Sequence, residues 1–297
     1  MAVNVRGALR CVVEARPVVQ VMFVLRFAAG ALLAMPRPVD SDLVAIAGAA
    51  VVWWSAVVAV YLFNGLMDAT EDRVNGSRRP IASGIVDPDT ARRWVAVFTV
   101  VTVAGAALLG GGILLCALLL LACGYAYSGP PFFFKRRPLL ATTVALAGGL
   151  VTYAAGYIAS HPSGSARGSG SLILLAVAMS MWMGLIGCIT KDFSDTDGDA
   201  AAKRRTLTLL LGTRRANRVV SLLALTLGLL FLTAAQEWAR ALVPAAVLTC
   251  LGAGILAAVA LSGLSHGGGR DRLRRPYRVF MTTQYCAHVA VIAAVLC

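Results

Sequence analysis

Charge is scarce in this chain. Only 14% of its 297 residues are Asp, Glu, Lys or Arg, 59% are apolar, and the mean hydropathy is +0.78. That excludes an ordinary soluble domain, in which roughly a quarter of residues are charged. Strict alternation of apolar and polar residues is also missing, which excludes a membrane β-barrel. No internal repeat is visible. No two of the seven cysteines have metal-site spacing, and Cys297 does not form a prenylation box. They are expected to pack as small hydrophobes. A cleavable leader is not expected either. Arg6, Arg10 and Arg16 interrupt the N-terminal stretch, and no small-residue cleavage site follows the first apolar run. Residues 1–16 read instead as a basic segment suited to an amphipathic helix on a membrane surface.

What the chain does have is long apolar runs. About 20 apolar residues cross a bilayer as a helix. On that rule the sequence predicts about nine spans, at 17–34, 43–63, 94–109, 113–127, 139–159, 172–190, 219–235, 241–264 and 279–297. The third and fourth look short and are separated only by Gly110-Gly111-Gly112, a tight hairpin. Read as one helix, 94–127 would be about 50 Å long, against a hydrocarbon core of about 30 Å. The predicted fold is therefore an all-α, polytopic membrane bundle of about nine helices around a central cavity, one domain over 1–297.

The net charge of +13 would point to nucleic acid in a soluble protein, but its distribution does not. Of 27 Lys and Arg residues, 23 lie in the N-terminal segment or in the loops after even-numbered spans. Arg37, Arg167 and Arg240 lie on the opposite side, and Arg26 lies inside the first span. The positive-inside rule then places the N-terminus and the even loops in the cytoplasm. Nine spans put Cys297 outside. The basic rim suits anionic lipid headgroups, and no nucleic-acid partner is expected. The abundance of Ala, Val, Arg and Gly suggests a GC-rich genome and hence a bacterial cell membrane.

Two acidic clusters follow spans two and six. Asn64, Asp68, Asp72 and Asn75 fall at i, i+4, i+8 and i+11, one face of a helix that continues past the span. Asp192, Asp195 and Asp199 fall at i, i+3 and i+7, with Lys203 on the same stripe at i+11. Glu71 and Asp197 fall off the stripes. Stacked carboxylates repel one another unless a cation joins them. All-oxygen ligands select Mg²⁺ or Ca²⁺, and Mg²⁺ commonly shares one or two carboxylates with substrate phosphates. Arg73, Arg79, Lys135, Arg136, Lys191 and Lys203 lie in the same layer, and such cations bind phosphate. Two facing clusters among them would form a metal-diphosphate site.

The run Asn64-x-x-x-Asp68-x-x-x-Asp72-x-x-Asn75 followed by Arg79-Pro80-Ile81-Ala82-Ser83-Gly84 resembles the first signature of the UbiA-type intramembrane prenyltransferases. Asp192-x-x-Asp195-x-x-Gly198-Asp199 with Lys203 is similar to the second, in the variant of chlorophyll synthases, homogentisate prenyltransferases and digeranylgeranylglyceryl phosphate synthases. Tyr127-Ser128-Gly129-Pro130-Pro131 with Lys135-Arg136 is similar to a third segment of that subgroup. One departure is Gly65, where many members have Asp. The resemblance implies that Asn64, Asp68 and Asp72 hold one Mg²⁺ and that Asp192, Asp195 and Asp199 hold a second. It also implies that Lys135, Arg79, Lys203 and Arg73 neutralise the diphosphate of an isoprenoid donor. Asp68, Asp72, Asp192, Asp195 and Lys135 would then carry catalysis, the prenyl group passing to an aromatic or other lipophilic acceptor.

Tyr125, Tyr127, Tyr153 and Tyr157 are candidates to face the allylic cation. Asp195, Asp197 and Asp199 are candidate general bases, and none is singled out. Arg26 is expected either to contact an acceptor anion or to pair with a motif Asp. The same aspartates would serve a terpene cyclase with no acceptor. A cation-coupled transporter also carries intramembrane acids, but near the midplane.

Overall fold

The computed structural model describes residues 5–35, 40–160, 170–262 and 269–296. Arg37, Arg167, Cys297 and residues 1–4, which carry part of the topology reading, lie outside the described residues. No strand occurs among the described residues. The helices are α1 (Val5–Glu14), α2 (Pro17–Leu32), α3 (Asp40–Met67), α4 (Ala69–Val74), α5 (Pro88–Leu109), α6 (Gly111–Ser128), α7 (Pro138–Ser160) and α8 (Gly170–Met181). After a π-helical segment at Trp182–Gly187 come α9 (Cys188–Asp192), α10 (Thr196–Ala201), α11 (Leu207–Leu211), α12 (Thr213–Trp238), α13 (Val243–Leu261), α14 (Arg270–Leu273) and α15 (Arg275–Leu296).

Each of the nine apolar runs is helical over most of its described residues, and eight of the described helices are long and apolar enough to cross a membrane. The ninth, α2, has 16 residues, about 24 Å at 1.5 Å per residue, and is short of a full crossing. It is packed between α7, α3 and α15. The third span is longer than predicted. Asp87 caps α5 by accepting from Thr90 N at 3.0 Å, and Pro88 occupies the first turn. The helix therefore starts six residues before Trp94, with Asp89, Arg92 and Arg93 in its polar first turns. An apolarity criterion cannot see such an end. The hairpin at Gly110 between α5 and α6 is as expected. Leu108, Leu139 and Val44 are among many exposed apolar side chains on the outer surface, a surface made for lipid. The chain is an integral membrane protein.

The crossing of α2 and α7 is unusually close because it is made by glycines. A Cβ on Gly156 would lie 2.9 Å from Ala31 N and closer still to the Phe27 carbonyl oxygen. Both are backbone atoms, so no rotamer change relieves the clash. Small residues allow such approaches in membrane bundles. Gly156→Ala is expected to destabilise the protein by about 1–3 kcal/mol, as overpacking does, and Gly156→Leu to prevent folding. Fluorescence-detected size-exclusion chromatography after a thermal ramp measures both. A wild-type midpoint in Gly156→Leu would contradict the crossing.

The π-helical segment lies within the sixth span. It includes Gly184 and Gly187, and the latter leaves room for the Phe280 ring from α15. The extra residue per turn shifts the phase of everything that follows, including Lys191 and Asp192. Of the cysteines, Cys11 and Cys116 are buried, and none of the six described forms a disulfide.

Candidate active site

One end of the bundle gathers the charged loops. Helix α3 continues almost unbroken into α4: Asp68 N donates to the Asn64 carbonyl at 2.9 Å, and Asp72 N to the Asp68 carbonyl at 2.8 Å. The helical phase read from the sequence is thus kept through the first cluster. The second is broken. Helix α9 ends at Asp192, and Asp195 opens α10 with φ −118°. Helices α4 and α10 lie against each other, and Asn75 Oδ1 accepts from Gly198 N at 2.8 Å. The two acidic clusters therefore meet, although neither sequence stretch encodes the other.

Cations hold them together. Arg204 Nη2 reaches Asp68 Oδ1 at 2.7 Å and Glu71 Oε1 at 3.3 Å, while its Nη1 reaches Asp199 Oδ1 at 3.1 Å. Lys135, on a 3-10 turn at Phe134–Arg136, pairs with Asp68. Arg79 joins Asp72 at 2.6 Å and Glu14 at 2.7 Å. Arg270 joins Asp195 at 3.0 Å and also donates to the Asn75 carbonyl at 2.6 Å. Asn64 donates to Ser128 Oγ at 3.0 Å, linking the first and third motifs. Asp192 is half-buried at the end of α9 and makes no ion pair among the described residues.

These contacts govern the carboxyl groups. Burial would raise Asp68, but Arg204 and Lys135 outweigh it and hold the carboxyl well below the usual range. Asp195 is held down in the same way: burial opposes, while Lys191 and Arg16 prevail. Asp199 is pushed up by burial, which Arg204 and Lys191 only partly offset.

Some sequence expectations are corrected. Lys203 is not on the acidic stripe. Helix α10 ends at Ala201, and Lys203 turns outward with a left-handed backbone, φ 53°. It is exposed, and Arg204 takes the inward place. Glu71, set aside by phase, shares Arg204 with Asp68. Arg73 is exposed and bonds the Ala82 carbonyl at 3.3 Å. Arg136 lies over the Phe133 ring, 4.4 Å from its centroid. Glu14 was not a candidate at all. Its carboxylate fills the space a side chain at 65 would need, 3.0 Å or less from an added Cβ, and accepts from Ile81 N at 2.8 Å. Gly65, the departure from the family pattern, thus makes room for a carboxylate delivered by α1.

An apolar cavity of about 160 Å³ opens beneath this layer. A cavity near 150 Å³ admits a benzene ring, so the space takes about one isoprene unit without movement of its walls. Arg16, Asn64, Ser128, Lys191 and Tyr277 line its charged end. Tyr127 lines it, as do Tyr61 and Tyr277, which the sequence did not single out. Tyr125 is instead exposed and stacked on Phe63, and Tyr153 is buried against His288. Tyr157 is half-buried against the large hydrophobic core.

Residues 23–282 match the UbiA prenyltransferase family. The chain belongs to that family. No curated protein matches it significantly in sequence. Its fold is similar to a UbiA homologue from Archaeoglobus fulgidus solved with GPP and Mg²⁺, at TM-score 0.68 and 20% identity, covering 97% of this chain and 99% of that one. An apo UbiA homologue from Aeropyrum pernix K1 gives 0.64 and 21% over 93% and 98%. A digeranylgeranylglyceryl phosphate synthase gives 0.66 and 13% over 98% of each chain.

The donor set suits a hard cation. Among the described residues, no three acidic, His or Cys side chains converge as a ready-made cage. The carboxylates instead face one another across α4 and α10 with oxygen donors only, and Asp199 Oδ2 is buried without a partner. An incomplete oxygen shell with an orphaned carboxylate oxygen is what Mg²⁺ accepts when a substrate phosphate supplies the remainder.

Proposed function

We propose that the chain is a Mg²⁺-dependent intramembrane prenyltransferase that ionises an allylic isoprenoid diphosphate and passes the prenyl group to an aromatic or other lipophilic acceptor. The observation that carries this reading is the meeting of two carboxylate clusters, ringed by Arg and Lys, next to the polar end of an apolar cavity that Arg16, Asn64 and Lys191 line. Structures of a UbiA homologue from Archaeoglobus fulgidus with GPP and Mg²⁺ and with DMAPP and Mg²⁺ support the donor class and the metal. Asn64, Asp68 and Asp72 would hold one ion, and Asp192, Asp195 and Asp199 a second. Bound Mg²⁺ supplies positive charge that stabilises the leaving diphosphate.

The chain's own residues do the rest. Lys135, Arg204 and Arg79 stand where they can neutralise diphosphate oxygens, acting on charge that grows as the C1–O bond breaks. Arg16 and Lys191 line the cavity at the same end and orient the headgroup. Arg204 replaces Lys203 in this role, and Arg73 is left to brace its loop. The apolar walls exclude water from the allylic cation, and Tyr61, Tyr127 and Tyr277 offer ring faces to it. The prevalence of cations on this face supports a cytoplasmic orientation under the positive-inside rule.

The test is release of diphosphate from a panel of prenyl diphosphates by purified protein in lipid nanodiscs. Release is expected with Mg²⁺ and a phenol present together, matched by equimolar prenylated product, and to be lost with EDTA or without the phenol. Cyclic hydrocarbons or alcohols without an acceptor would identify a cyclase instead. Solute uptake into proteoliposomes without diphosphate release would reject both.

A further inference from the structure

Arg26 is completely buried in α2 and has no carboxylate partner. Neither a motif Asp nor any other acid reaches it among the described residues. Its Nη2 donates to Gln284 Oε1 at 2.5 Å and to the Met179 carbonyl at 3.2 Å. Its Nη1 rests on Met183 Sδ, and its guanidinium lies 5.8 Å from the Phe23 ring centroid. Phe23, Met183 and Gln284 all line the cavity. A permanent positive charge therefore stands one side chain behind the wall.

Arg26 also sets the Gln284 amide. A guanidinium only donates, so the amide oxygen must face it and the NH₂ must face away. That NH₂ is directed to Met281 Sδ, 3.8 Å distant, and Met281 lines the cavity too. A thioether is a weak acceptor. Along the same helix, the backbone carbonyl of Gln284 accepts from His288 Nδ1 at 2.7 Å, and the Tyr153 hydroxyl donates to His288 Nε2 at 2.5 Å. Arg26 alone fixes the amide in this orientation, which leaves a buried N–H donor without a strong acceptor on an apolar stretch of the cavity wall.

We propose that Gln284 Nε2 donates a hydrogen bond to an oxygen of the prenyl acceptor, a carbonyl, phenolate or carboxylate, and that Arg26 is the residue positioning and polarising that amide. The inference rests on the transferase reading and narrows its acceptor to oxygen-bearing molecules. A prenyl tail has no atom to accept such a bond. Gln284 lies seven residues along α15 from Tyr277, about 10 Å inward. The acceptor then reaches from this oxygen contact towards the charged end, where its nucleophilic atom meets donor C1.

Gln284→Glu tests this in the full-length protein in nanodiscs, with GPP, Mg²⁺ and a panel of hydroxybenzoates, naphthols and dihydroxynaphthalenes. The variant keeps an oxygen facing Arg26 and gains an ion pair, so a purely structural role is preserved. It loses the N–H donor. The acceptor KM is expected to rise about tenfold or more, the worth of a lost hydrogen bond, with donor KM moving less than about twofold. Gln284→Leu is expected to give the same split. Unchanged acceptor KM in both variants overturns the proposal. So does a wild type that releases diphosphate yet neither prenylates nor is thermally shifted by any member of the panel. Absence of diphosphate release from every donor rejects the transferase reading itself, and the inference falls with it.

Discussion

Asp68→Ala is expected to abolish diphosphate release, by at least about 10²–10³-fold, the scale of losing one preorganised charge contact in a reacting site. Asp68 lies at the junction of α3 and α4, 5% exposed, with Lys135 and Arg204 on the same oxygen. No other carboxylate shares two cations in this way among the described residues. Asp68→Asn separates charge from shape. It keeps the volume and strands two buried cations, and breaking a buried pair is worth about 3–5 kcal/mol. The folded carboxyl titrates below its unfolded value, so its stabilisation is present above the ordinary carboxylate range and is lost as pH falls through the folded value. Wild-type thermal midpoints should therefore drop on acidification, and Asp68→Asn should lose that part of the dependence. Diphosphate release and midpoints between neutral and acidic pH give both readings. Wild-type turnover in Asp68→Ala would reject the site, provided the variant elutes as folded protein.

The bundle was legible because its spans are continuous apolar runs, a signal that tertiary packing does not need to rescue. Its errors lie at helix ends. The true start of α5 is encoded by the Asp87–Pro88 cap, which hydropathy overlooks. The site was legible where helical phase persists: α3 runs into α4, and Asn64, Asp68 and Asp72 stay on one line. Phase failed where the helix ended. The left-handed turn at Lys203 moves the inward position by one residue, to Arg204, and a stripe extrapolated through Ala201 cannot show this. Glu14 was invisible for another reason. It reaches Arg79 and Ile81 across more than sixty residues of sequence, and only the packing of α1 reveals why Gly65 is tolerated. The Gln284 amide belongs to the same class, because its orientation is decided by an arginine on another helix.

Arg204→Met is expected to be as damaging as loss of Asp68, and it separates the structure from the sequence pattern. The guanidinium is 8% exposed and joins carboxylates from both clusters, Asp68 and Glu71 on one side and Asp199 on the other. Methionine preserves the apolar stem and removes the fork. Three acids would then face one another without their shared cation. A loss of about 3–5 kcal/mol in stability follows from breaking a buried pair, and turnover should fall at least about 10²-fold as diphosphate loses a charge partner. Arg204→Lys should recover part of the stability and little of the activity, since one ammonium cannot span Asp68 and Asp199 in the fork geometry. Lys203→Met is the matched comparison, one residue away and exposed. If the spacing pattern governs, Lys203→Met is the inactive variant. If the turn at φ 53° governs, activity disappears at Arg204 and persists at Lys203. Parallel diphosphate-release rates and thermal midpoints decide between them, and equal loss in both variants would contradict the division of roles drawn from the turn.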